Sequence, residues 1–291
     1  MLYTLENELC RVAVDTHGAE LHSFVRKDLN GLEYIWPAEA AHWNRHAPVL
    51  FPIVGRLPQD TYQYRGQEYR LTQHGFARDQ EFQLLHQGPA ELTFELRDTE
   101  ATRQQYPFAF ALRISYRLAG PTLTIGWEVE NLGADELLFS IGAHPAFRCP
   151  LLPEETFEDY EFVFDQPVTL HRHLLDGGLL TGHTAPVLEQ QTTLPLHYAL
   201  FAQDALVFKH FDFTHLTLRS RRSGRAVRVR FDGFPYLGLW TKGPGAPFVC
   251  IEPWHGIASA TTGSRELADK EGILYLQPGQ QFITSHSITV E

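Results

Sequence analysis

Cysteine is scarce in this sequence. Cys10, Cys149 and Cys250 are odd in number, and none stands in a CxxC spacing. That argues against a disulfide framework and fits a reducing compartment. Long hydrophobic runs are missing too, so no segment is suited to cross a bilayer as a helix. Met1 to Arg11 holds Glu6, Glu8 and Arg11 and no apolar stretch, so no secretory leader is expected. Positive charge is the minority, with 24 Lys and Arg against 35 Asp and Glu and a net charge of -11. Without a basic stripe, nucleic acid is excluded as an expected partner, although one phosphate held by a local arginine is not. A soluble cytoplasmic protein, with neither nucleic acid nor membrane as partner, is the expectation.

Helical periodicity is nearly absent. Ala38 to Trp43 offers at most one turn, and only Ser264 to Lys270 otherwise reads as helix. Period-two alternation dominates instead. Leu9 to Val14 and Leu21, Ser23 and Val25 flank a turn at Asp15-Thr16-His17-Gly18. Tyr62 to Leu71 reads as a hairpin turning at Arg65-Gly66. The clearest hairpin sets Leu112, Ile114, Tyr116 and Leu118 against Leu123, Ile125, Trp127 and Val129 around Gly120-Pro121. Each of its strands has one dry and one wet face, the mark of antiparallel sheet. Short alternating strands continue through Phe162, Leu206, Leu216, Val227, Tyr236 and Phe248 to Phe282–Val290. No repeat, linker or low-complexity segment divides the chain. The reading is one all-β domain over residues 1–291, a sandwich or barrel.

Certain residues stand where folding alone gives little reason for them. His144 lies in Ser140-Ile141-Gly142-Ala143-His144-Pro145-Ala146-Phe147, between apolar neighbours and beside a proline that biases it toward extended backbone. A histidine leaving a packed sheet in this way serves either as a proton donor or acceptor, or as a core residue bonded to backbone. Glu252 follows the apolar run Phe248 to Ile251, which reads as a strand ending there, and precedes Pro253-Trp254. A carboxylate in such surroundings is costly unless satisfied, and its raised pKa suits a general base. The alternative is a structural carboxylate paired with Arg56 or Lys242. Arg56 itself sits on the apolar loop Phe51-Pro52-Ile53-Val54-Gly55-Arg56-Leu57. His74 repeats the theme of histidine beside glycine and aromatic in His74-Gly75-Phe76-Ala77-Arg78-Asp79. Trp254, Trp240 and Phe147 supply flat apolar faces on which the C–H face of a sugar can rest. His171-x-His173 has no third ligand at convincing spacing, so no metal site is expected.

The segments 51–57, 74–79, 142–147 and 251–254, in this order and spacing, resemble the aldose 1-epimerase (galactose mutarotase-like) family, and its shorter bacterial subgroup above all. The resemblance implies a large antiparallel β-supersandwich with a sugar in a cleft on one concave sheet. It implies mutarotation, the interconversion of α and β anomers of a hexose by acid–base ring opening and reclosure, with no cofactor. Carried over by position, Glu252 matches the general base, His144 the general acid, His74 a second active-site histidine and Arg56 an arginine on the sugar hydroxyls. Asp204, in Phe201-Ala202-Gln203-Asp204-Ala205-Leu206, is the match for a sugar-binding aspartate, with Asp212 as competitor. Gly75-Phe76-Ala77-Arg78-Asp79 departs from the longer signature of galactose mutarotases proper. Two other readings stay open. One is a hexose-6-phosphate 1-epimerase, for which Arg78, Lys242 and the basic tip 221–225 are rim candidates. The other is a non-catalytic carbohydrate-binding protein on the same fold. The sequence selects neither a particular sugar nor an oligomeric state.

Overall fold

Alternating side chains set the architecture of a computed structural model that describes all 291 residues. A 15-stranded sheet is antiparallel at every strand pairing along it. At one end it runs through Val49–Leu50, Ile141–Ala143, Phe248–His255, Tyr236–Trp240 and Leu206–Lys209. It continues through the long strand Tyr160–Asp176, then His215–Ser220, Ala226–Arg230, Gln281–Val290, Thr122–Asn131, Phe110–Ala119, Glu91–Arg97 and Gln83–Gln87. In the hairpin of Phe110–Ala119 and Thr122–Asn131, all eight alternating apolar residues are buried. Their faces match the sequence reading because a side-chain period of two leaves a half-buried strand only one register.

A four-stranded sheet, Leu2–Glu6, Cys10–Asp15, Glu20–Arg26 and Leu32–Glu33, packs on the far part of the large one. Cys10, Val12 and Val14 join Phe94, Tyr116 and Ile125 in one core cluster of 68 buried residues. The Tyr116 hydroxyl donates to the Ala19 carbonyl at 2.6 Å, so this sheet contact is satisfied by hydrogen bonding as well as apolar packing.

Helix fell elsewhere than the sequence suggested. Ala38 to Trp43 forms turns only, and Ser264 to Lys270 contains a single 3-10 turn, Leu267–Asp269. The one α-helix is Glu100–Gln105, begun by Thr99, whose Oγ1 accepts from Thr102 N while Thr102 Oγ1 accepts from Thr99 N. Six residues are too few to show an apolar period, and the reciprocal cap supplies what periodicity does not.

The strand carrying Glu252 also outruns its expected end, continuing through Pro253 to His255. The reason lies in the neighbouring chain, which pairs at Ile141 and Gly142, breaks at His144-Pro145, and pairs again from Ala146. Ile251 N donates to Pro145 O across that break. Two residues on, the nitrogen of Pro253 points the same way, into the break, so its missing N–H removes no ladder bond.

Candidate active site

That break places a histidine against a carboxylic acid. His144 leaves the ladder and brings Nε2 to 3.2 Å from Glu252 Oε2, with both side chains buried. Trp43 stacks on the His144 ring at 4.9 Å between centroids, and Trp240 meets it edge-on at 5.6 Å. Around them opens a cavity of about 580 Å³, lined among others by Trp43, His74, Arg78, Asp204, Trp240 and Trp254.

Cys250, Glu252 and Trp254 alternate along their strand and so share its face. The Trp254 indole crosses Gly238 on the next strand and Gly142 on the other side. A Cβ built on Gly238 lies 2.4 Å from that ring, and one on Gly142 lies 2.6 Å from it. Only a missing side chain on each side lets Trp254 lie flat as a wall of the cavity. Its Nε1 donates to Ala143 O at 3.2 Å, which ties the wall to the residue before His144.

The 51–57 and 74–79 segments interlock. His74 N donates to Gly55 O at 2.9 Å, and Gly55 N donates back to His74 Nδ1 at 3.2 Å. A neutral imidazole that accepts at Nδ1 carries its proton on Nε2, so His74 presents a donor there. The Gln73 amide nitrogen lies 3.3 Å from that nitrogen; both are N–H donors in this tautomer, so the His74 Nε2 proton is left for another acceptor. Gly75 follows with φ +70, and a Cβ there would sit 2.3 Å from Phe51 O. Glycine is therefore required for the approach.

Burial drives the electrostatics. It pushes the Glu252 carboxyl well above its ordinary range, and Asp204 adds to the rise. It pushes His144 down to about 3, with the Arg78 charge acting in the same direction. His74 is likewise held well below the usual imidazole value by burial and by His144. Burial lowers Arg78 to about 10, and its Nε is enclosed without a partner while Nη2 donates to Gln73 O at 2.6 Å. His144, Cys250 and Glu252 lie close enough to share a metal ion. Burial, however, raises both the Cys250 thiol and the Glu252 carboxyl well above their ordinary values and so disfavours the anions a metal needs, which makes this trio better suited to proton transfer than to metal binding.

Of the residues singled out in the sequence, the fold gathers His74, His144, Asp204, Trp240, Glu252 and Trp254 around this cavity. Asp212 does not line it. Phe147 does not either: it is fully buried in the main core, opposite Val249. Arg56 is turned away from the lining. Its Nε reaches Asp60 at 3.1 Å, and its Nη1 donates to Gly177 O at 3.1 Å, at the tip of the hairpin Tyr160–Asp176/Leu179–Pro195. The arginine that lines the cavity is Arg78. Sequence reasoning also missed Trp43, which it placed in a possible helical turn, and Thr241, which is buried at the cavity with Oγ1 unpartnered. A tryptophan and a threonine in irregular backbone carry no pattern that marks them as site residues.

Comparison with known proteins identifies the family and the fold. The family model for aldose 1-epimerase matches residues 1–264. Protein LacX, plasmid, of Lactococcus lactis subsp. lactis is 36% identical over 299 residues, covering 100% of this chain and 99% of its own. A galactose mutarotase related enzyme from Lactobacillus acidophilus superposes with a TM-score of 0.96 at 36% identity, covering 100% of this chain and 97% of its own. A galactose mutarotase-like protein from Lactobacillus casei ATCC 334 gives 0.93 at 27% identity, with both chains fully covered.

Proposed function

We propose a mechanism from the premise that this chain belongs to the aldose 1-epimerase family and is an isomerase that interconverts the anomers of a sugar. The observation that carries it is the His144–Glu252 pair, 3.2 Å apart and buried beside the cavity. Mutarotation removes a proton from the C1 hydroxyl and delivers one to the ring oxygen. Both oxygens are bonded to the same carbon, so acid and base must be neighbours.

The pair holds one proton to share. With the carboxyl protonated and the imidazole neutral, Glu252 gives a proton to the ring oxygen while His144 takes one from the C1 hydroxyl. The C1–ring oxygen bond breaks and an open-chain aldehyde forms. After rotation about C1–C2 the ring closes on the opposite face, and both transfers run backwards. Proton count is conserved throughout, and the opposite assignment, Glu252 as base and His144 as acid, is the same relay with its proton on the other partner. His74 Nε2, Arg78, Asp204 and the Thr241 hydroxyl hold sugar hydroxyls, while Trp43, Trp240 and Trp254 face its C–H surfaces.

A hexose is the substrate class these groups support, in keeping with the galactose mutarotase description of the Lactobacillus acidophilus relative. Arg78 and exposed Lys242 both line the cavity, so 6-phosphorylated hexoses belong beside free ones in any assay. Residues 1–291 act as one domain, and three buried, unpaired cysteines support a reducing, cytoplasmic setting. No helix is long and apolar enough to cross a membrane.

The test is polarimetric mutarotation across free and 6-phosphorylated hexoses, with Glu252→Gln and His144→Asn as controls. Each variant should lower kcat by at least about 10²-fold, the scale of one positioned acid–base group. Near wild-type turnover in folded Glu252→Gln would sink the mechanism.

A further inference from the structure

Glu20, His22 and His46 gather away from the catalytic cavity, and we propose that they form a binding site for a borderline divalent cation of the zinc class. Their ligand atoms all lie within 4.8 Å of one another. Glu20 Oε2 is 3.6 Å from His22 Nε2, close to the separation of about 3.4 Å between ligand atoms around a tetrahedral zinc. Two imidazoles and one carboxylate are a nitrogen–oxygen set suited to zinc, cobalt or nickel rather than to magnesium or calcium.

The surroundings prepare the site. Glu20 is buried, and its Oε1 accepts from His46 N and Ala47 N, both at 2.8 Å. This fixes the carboxylate and leaves Oε2 facing the histidines, the outer-shell support that ligating groups need. His22 is the extra residue of a β-bulge: Ala13 pairs with Ser23 and Val14 with Leu21, so His22 falls out of the ladder. Bulges re-aim side chains in this way. The His22 and His46 rings stack at 3.9 Å and 17°. An ion in the plane of both rings requires the stack to open, by rotation about each Cβ–Cγ bond. Both residues are only half-buried, which gives room for that rotation and a path for the ion.

The site also has a mechanical connection. His46 O accepts from Ala146 N at 2.9 Å, two residues past His144, and Trp43 on the same loop stacks on the His144 ring. An ion bound here ties the strand Glu20–Arg26 to the loop that backs the catalytic histidine.

The test is calorimetric titration of the intact protein with Zn²⁺, with thermal melts at matched metal concentrations. One ion should bind per chain and raise the melting temperature by mass action. His22→Gln and His46→Gln should each weaken binding by more than about 10-fold, the scale that even outer-shell changes reach, and abolish the metal-dependent shift. Melts without metal establish that each variant folds, and either one alone suffices. Cys250→Ser, in the separate cluster with His144 and Glu252, should retain both effects. Absence of Zn²⁺ binding, unchanged affinity in the double His22→Gln/His46→Gln protein, or loss confined to Cys250→Ser overturns the proposal.

Discussion

Glu252 Oε2 and His144 Nε2 stand 3.2 Å apart in a buried contact where burial raises the carboxyl and lowers the imidazole. An exposed histidine beside a carboxylate would instead be raised, as the charges attract. Here desolvation outweighs attraction, and the neutral pair carries the same single proton as the ion pair. The pH profile follows. Glu252, held well above the ordinary carboxylate range by burial, should lose its proton at a higher pH than a free carboxyl does, and kcat/KM should fall as it does so. On the acid side, activity falls as His144 protonates near about 3. The measurement is kcat/KM against pH, corrected for spontaneous mutarotation. An acid limb centred near about 6.5, the ordinary histidine value, would contradict the burial argument.

Arg78 and Arg56 should separate in kinetics. Arg78 lines the cavity, so Arg78→Gln removes a charged hydrogen-bond donor from the sugar and should raise KM by roughly 10- to 100-fold, from about 1.5–3 kcal/mol per such bond. Arg56 instead latches the Gly177 carbonyl at the hairpin tip, whose Leu175, Gly178 and Leu180 face the cavity. Arg56→Ala should change KM by less than about tenfold, since a partly exposed contact of this kind is worth about 1 kcal/mol. It should also speed proteolytic nicking at Gly177-Gly178. A larger KM effect from Arg56→Ala than from Arg78→Gln reverses these assignments.

Gly238→Ala should cost about 1–3 kcal/mol, the scale of an overpacked core. Its Cβ meets the Trp254 ring at 2.4 Å, on the strand directly beside Glu252. Denaturant unfolding reads the loss, and KM should rise because the displaced indole no longer forms the cavity wall. Wild-type stability and KM together would show that Trp254 has room to move.

Acid should destabilise the fold through neutral buried histidines. His286 is held at about 3 and His255 at about 4, both by burial. Their folded values lie below the unfolded value of about 6.5. The stability they contribute is therefore present above about pH 6.5 and is lost as pH falls toward 4 and then 3. His286→Leu should flatten the fall in unfolding free energy between pH 6.5 and 4, as read by urea titrations at each pH. An equally steep fall in that variant assigns the acid sensitivity to other groups.

Much of this was legible in the sequence because its causes are local. Alternation along Leu112–Leu118 and Leu123–Val129 specifies which face is buried, since a slip of one residue exposes the whole apolar set. Glu252 after an apolar run and His144 before a proline stood out as candidates because charge and imidazole are expensive in such places, and the fold brings the two side chains together. What the sequence could not contain is contact between distant segments. Arg56 and Arg78 look equally suited to a sugar, and only the hairpin tip that captures Arg56 distinguishes them. Phe147 and Trp43 are both aromatic, yet one packs in the core and the other on His144. The protonation of the Glu252–His144 pair was also decided by tertiary structure, because desolvation depends on the walls that packing builds around a group, and those walls come from the whole chain.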